Sequence, residues 1–295
     1  MSVSNLQWEI TQVRGKLGIP YRTDPQDAYI TDEEIVNWLH EGEKRLALDV
    51  ADDALPELQV EQSVNTVVDT GSYALPTDQT RILQVLLDSA DRGLYECSLV
   101  NPQKFREIDT NPLWAATPRR PFVMFWNNKA YVRPIPTVLV TGGLLYRYVK
   151  VPTRRHRHYK GQTTAAGTNV TLVDTATPGP DDYWNASGVI LRSGPLKGEV
   201  ETVSDFVDST GTLTVSSAFP AIPGSAVQFE VGQVSDISSE FIDMVILWAT
   251  YLGRKKEQEE ELAQTVKADY ESELERINGR YQAFHRTEPS REVAR

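Results

Sequence analysis

Gln59-Val60-Glu61-Gln62-Ser63-Val64-Asn65-Thr66-Val67-Val68 marks the point where the pattern of the chain changes. Val60, Gln62, Val64, Thr66 and Val68 occupy alternate positions, and β-branched residues dominate, which predicts a strand closed by Asp69-Thr70-Gly71. Upstream the spacing is helical. Leu6, Ile10, Val13 and Leu17 form one apolar stripe, predicting a helix over 4–17 that Gly18 and Pro20 stop. Thr31-Asp32-Glu33-Glu34 opens a second helix as a capping box, in which the Thr31 hydroxyl accepts from the Glu34 N–H and the Glu34 carboxylate reaches back. Ile35, Trp38, Leu39, Leu46 and Val50 mark its buried face, and Gly42 allows another helix to come close.

Downstream of 59–68 the strands continue. Residues 81–87 and 94–100 read as a hairpin about the turn at 89–93, and 102–109 as a short helix. Residues 122–126 and 130–134 form a second hairpin about Asn127-Asn128, because paired asparagines tolerate the positive φ of a tight turn. A further strand covers 144–151. Between 161 and 232 lie nine of the 18 glycines and short β-branched runs at 169–173, 188–191, 199–206, 212–215 and 227–231, which predict a small β-sandwich or barrel. From 239 to 284 the chain is helical again. Phe241, Val245, Trp248 and Leu252 form one stripe, Leu262 through Phe284 another, and the charged run 253–261 between them predicts a bend or helical hairpin near 256–260, with one continuous rod of about 70 Å as the alternative.

The expected fold is therefore α+β: a helical bundle with a small antiparallel sheet, an inserted all-β, sandwich- or barrel-like module and long C-terminal helices. The expected division is a helical and β body of residues 1–160 plus 233–286, a module of 161–232, and a flexible C-terminal arm of 287–295. Residues 286–295 lack periodicity and contain Pro289, so order there would have to come from a partner.

Composition narrows the class. The chain has 295 residues, 40% of them apolar and 24% charged, as in folded soluble proteins. No run approaches the about 20 apolar residues of a membrane span, and the start MSVSNLQWEI lacks the order of a signal peptide. No membrane is expected, and assembly in a cytosol is. Cys97 is the single cysteine, which excludes an internal disulfide and a cysteine-built zinc site; it reads as a small buried apolar residue. A net charge of −11 argues against a protein that grips nucleic acid. The charge is blocked: residues 1–60 carry −7, 61–160 carry +6 and 161–232 carry −6. Such blocks can attract each other within a subunit or between neighbouring subunits.

Little in the sequence points to catalysis. His156 and His158, within Arg154-Arg155-His156-Arg157-His158-Tyr159-Lys160, have the spacing of two metal ligands on one side of a strand, but four cations and no acid surround them. The same run could touch phosphate, or form a solvated or interface-facing strand end, the simpler reading. Asp52-Asp53 and Asp181-Asp182 are pairs of the kind glycoside hydrolysis uses, and adjacent acids are also ordinary in turns. Asp181-Asp182-Tyr183-Trp184-Asn185 would suit a partner or glycan contact through Tyr183 and Trp184, against the simpler reading of a turn with a packed Trp. The G-x-S-x-G, phosphate-loop and dinucleotide motifs are missing from the sequence. The expectation is a structural protein without catalytic residues, metal or cofactor.

Thr31-Asp32-Glu33-Glu34-Ile35-Val36-Asn37-Trp38-Leu39, followed by Tyr73-Ala74-Leu75-Pro76-Thr77-Asp78 leading into Arg81-Ile82, resembles the head-to-tail connector (adaptor) proteins of tailed phages. The stretch from Asp181 through Gly198 and Val203 to Gly211-Thr212-Leu213-Thr214-Val215 is similar to β-rich modules of phage tail and connector proteins. The resemblance extends to the closing helix with Tyr270 and Leu274. It implies a virion protein at the head–tail interface: a ring, expected to be a dodecamer of this chain, docked under the portal protein. Double-stranded DNA would pass through its channel without specific binding, and its lower face would meet a nozzle, stopper or fibre protein. Phe284, Arg286, Arg291 and Arg295 are the expected portal-binding residues, and the β module would meet neighbours or fibres. The alternatives are a tail-completion or nozzle component, and a tail protein with a glycan-binding β module.

Overall fold

The computed structural model describes residues 5–19, 29–50, 54–111 and 115–285. By its internal contacts the chain divides into two units, residues 58–151 and residues 1–57 with 152–295.

The unit of residues 58–151 is a sandwich. Its first sheet, in the order β1-β8-β3-β4, comprises β1 (Gln59–Thr66), β3 (Gln79–Leu87), β4 (Tyr95–Glu96) and β8 (Val140–Lys150), all antiparallel. The second runs β2-β7-β6-β5, with β2 (Ser72–Ala74), β5 (Ser98–Leu99), β6 (Phe122–Trp126) and β7 (Lys129–Arg133). Here β5 pairs parallel to β6. Tyr73, Val85, Leu87, Val123, Val132, Leu144 and Tyr146 fill the space between the sheets.

The sequence predicts one small sheet and a single strand over 94–100. The strand divides instead at Cys97, whose N–H donates to Val85 O at 2.8 Å and whose buried side chain sits where the chain passes from one sheet to the other. The 122–133 hairpin forms as expected, with Asn127 and Asn128 at φ 49° and 58°. Helix α3 (Pro102–Thr110), capped by Asn101 and started by Pro102, lies on the outer face of the second sheet over Phe122.

The other unit joins a helical bundle to a barrel. Helix α1 (Leu6–Leu17) is capped by Asn5, and α2 (Asp32–Asp49) carries the predicted capping box at Thr31 and Glu34. Gly42 serves as its spacing suggests: a Cβ there would stand 3.0 Å from Val245 O on α4 (Ile242–Lys256). The charged run ends α4, Gln258 turns with φ 61°, and α5 (Glu260–His285) packs back on α4, with the rings of Trp248 and Tyr270 5.1 Å apart. The C-terminal helices are thus a hairpin. Tyr270 and Ile277 of the second stripe are buried, but Leu262, which heads that stripe in the sequence, is 49% exposed.

The barrel uses β9 (His158–Gln162), β10 (Thr171–Val173), β11 (Ser187–Leu191), β12 (Val200–Val207), β13 (Thr212–Val215) and β14 (Gln228–Gln233), in the order β10-β13-β12-β11-β14-β9. Each of its pairings is antiparallel. The chain leaving β9 crosses to the far edge, where Thr164 N–H donates to Val173 O at 2.8 Å and Ala165 bridges Val173, so the open edges meet. Inward residues alternate along each strand, among them Leu172, Val189, Leu191, Phe206, Leu213 and Phe229. Gly211 turns β12 into β13 with φ 60°; a Cβ there would lie 2.1 Å from Asp174 O, so glycine is required.

Candidate interaction surfaces

The basic run 154–160 is where the barrel meets the bundle. Arg155 is buried and donates to both oxygens of Glu9 on α1, at 2.8 and 2.6 Å, and to Glu43 on α2 at 2.7 Å. Ser235 adds a 2.6 Å hydrogen bond to Glu43, and His40 Nδ1 stands 3.7 Å from its other oxygen. Burial pulls the guanidinium down, but Glu9 and Glu43 outweigh it and hold Arg155 above the ordinary arginine range. Arg154 donates to Asn37 Oδ1 at 2.6 Å, and Arg157 lies over the Tyr183 ring at 5.3 Å and donates to Tyr183 O. His158 faces Gln7 Oε1 at 3.0 Å, and burial holds its imidazole below the usual value against the opposing charge of Asp32. The run thus holds parts of one subunit together. No group of three or more His, Cys, Asp or Glu among the described residues is placed to hold a metal ion.

Trp184 is a core residue of the barrel, 1% exposed, with its indole N–H donating to Pro178 O at 2.7 Å and Tyr183 edge-on at 5.0 Å. The turn of Asp181 and Asp182 is structural as well: Asp181 accepts from the Asp208 N–H, and Asp182 from Asn185 Nδ2. Asp52 and Asp53 lie outside the described residues, as do Arg286, Arg291 and Arg295; Phe284 falls within the last turn of α5.

Two exposed apolar areas were not anticipated. Val67, Val68, Ile135 and Leu139 are exposed in loops tied by Asp69 N–H donating to Pro136 O at 3.0 Å. The other is a cleft of about 420 Å³ between α3 and the outer face of β6 and β7. Met124 and Tyr131 line it, Phe105 is its floor, and Trp126, 62% exposed at the hairpin tip, forms its rim. Arg133 pairs with Asp109 at 2.6 and 2.9 Å while stacked 4.8 Å over Phe105, and the exposed Arg106 stands on the α3 side. The signal was present in the alternation of 122–126, which sets Phe122, Met124 and Trp126 on one face; α3 buries the first, Met124 packs half-buried beside it, and Trp126 is left exposed.

The family model for the SU10 adaptor protein matches residues 5–292, and the chain belongs to that family of tailed-phage head-to-tail connectors. Membership gives it a head-to-tail adaptor role and a structural place in the virion, as a non-enzymatic protein. None of the curated proteins compared with it matches the chain. No helix among the described residues is long and apolar enough to cross a membrane.

Proposed function

We propose that copies of this chain form a ring, a dodecamer, which docks on the portal protein and joins it to a nozzle, stopper or tail component while double-stranded DNA passes through its centre. The observation that carries the reading is the family match, which takes in the sandwich, the barrel and the helical hairpin together. The net charge of −11 supports the channel, because an acidic wall repels phosphate and lets DNA slide. Phe284, Arg286, Arg291 and Arg295 serve as the portal-binding arm. We further propose that residues 161–232 act as an inserted module facing neighbours or fibres. With Trp184 in the barrel core, a partner or glycan contact at that turn would go through Tyr183.

Native mass spectrometry of the purified protein, alone and mixed with portal, tests this. A ring, free or formed only on the portal, is the expected result, and a monomer that ignores the portal would sink the reading. Removing 286–295 should abolish portal attachment while the fold survives; unchanged attachment would remove the arm.

A further inference from the structure

Charge is unevenly shared between the two units. Residues 58–151 carry ten Lys and Arg against eight Asp and Glu, whereas the remainder of the chain carries 20 against 33. Within the smaller unit, Arg106 and Arg133 line the cleft with one acid, Asp109, which Arg133 holds at 2.6 Å; Arg120 lies over the Phe122 ring, and Lys129 pairs across the hairpin from Trp126, so the charge left over at the cleft is positive. The cleft's volume lies in the range of about 300–1,000 Å³ that accepts a few side chains, and an exposed Trp at its rim is the kind of side chain that anchors protein interfaces. Its occupant should bring one apolar side chain and negative charge.

The chain carries such a group. At the start of α5, Leu262 is 49% exposed and follows Glu259, Glu260 and Glu261; Arg254 holds Glu259 at 2.5 Å, Lys256 pairs with Glu34 and Lys255 lies over the Tyr251 ring, which leaves Glu260 and Glu261 as the exposed acids beside Leu262. Of the other large apolar side chains exposed in that unit, Tyr29 has Lys256 over its ring, Leu48 sits in a helix of mixed charge, Ile222 has no acid within seven positions, and Val234, only 37% exposed, has within three positions a single acid, Asp236, whose carboxylate accepts from the Thr153 N–H. A ring needs two different surfaces on each copy that complement each other head to tail. We propose that the α4–α5 corner of one copy docks into the α3–β6–β7 cleft of the next, with Leu262 beside Trp126 and Glu260 and Glu261 facing Arg106. The inference rests on the ring reading above and names the surfaces that make it.

The test is charge reversal on each side and on both. Arg106→Glu and Glu261→Arg, each on the full chain, should weaken self-association about tenfold or more, since like charges then meet across the contact. The double variant should recover most of the loss, and Trp126→Ala should weaken assembly without a partner change that rescues it. Both sites are exposed, so thermal unfolding followed by circular dichroism should be unchanged. Rings of normal abundance in either charge variant, or a double variant no better than the singles, would overturn the contact. An unmutated protein that never assembles, alone or on the portal, would overturn the ring itself.

Discussion

Arg155 and Glu9 form a two-pronged buried pair, Nη1 to Oε1 at 2.8 Å and Nη2 to Oε2 at 2.6 Å, with side-chain exposures of 4% and 0%. Arg155 comes from the segment leading into the barrel, Glu9 from α1, and Glu43 brings α2 to the same guanidinium. Planar geometry lets one side chain hold three elements at once.

Replacing Arg155 with Met should cost about 3–5 kcal/mol, because two carboxylates would remain buried without their cation. Arg155→Lys should recover only part, since an ammonium cannot reproduce the forked contact. Urea unfolding midpoints of the three proteins check this; a Met variant as stable as the parent would show that the cluster is held mainly by its surroundings.

Asp88 is one source of acid sensitivity in the sandwich. Burial raises its carboxyl, but the backbone N–H groups of Arg92, Gly93, Ala90 and Asp91 outweigh that and hold it below its ordinary value of 3.8. A depressed folded value means that the stabilisation is present in full above the unfolded pKa and is lost as pH falls through the folded one. Asp88→Asn should be less stable by about 1–2 kcal/mol at neutral pH, and the difference should shrink below about pH 4. Chemical denaturation from pH 7 down to pH 2.5 measures the gap, which must close on the acid side and not on the neutral side.

Trp184→Ala should remove about 3–5 kcal/mol through the cavity it leaves, with the Pro178 carbonyl losing its donor. Trp184→Phe should cost less, keeping most of the volume. Hydrogen exchange of amides in β11 and β12 against those in β1 and β8 separates a barrel effect from a general one; equal loosening in both sets would contradict it.

Burial, aided by the charge of Glu96, pushes the Cys97 thiol up to about 12. At pH 7.5 a maleimide or disulfide reagent should therefore react with folded protein far more slowly than with protein in denaturant, and the rate should follow opening of the sandwich. Fast labelling of the native chain would mean that Cys97 is reached without unfolding.

Elements announced by repeated local signals were legible in advance. Thr31 and Glu34 marked the start of α2, Asn127-Asn128 set the turn of β6 and β7, and the runs from 169 to 231 gave five of the barrel strands. The second sheet of the sandwich was hidden because β2 and β5 have three and two residues, too few to display a period. The basic run from Arg154 to Lys160 looked like surface because its acids, Glu9 and Glu43, lie more than 100 positions away. Leu262 followed the periodicity of α5, yet the buried residue at that point is its neighbour Ala263, and Leu262 is left 49% exposed. The arm proposed at Arg286, Arg291 and Arg295 rests on the family resemblance, and those residues lie outside the described ones.

The two ends of the barrel segment are bonded to each other: Gln233 N–H donates to Arg157 O at 3.0 Å, and Gly232 pairs with His158. A segment whose ends already meet adds almost nothing to the cost of closing the chain, whatever its length. The barrel therefore sits on the bundle like an exchangeable cartridge. The fitting is specific, however: Asn5, which caps α1, also donates to the carbonyls of Gly188 and Glu230. Any replacement spliced between 157 and 233 must offer Asn5 two acceptors, or the first turn of α1 loses its mooring.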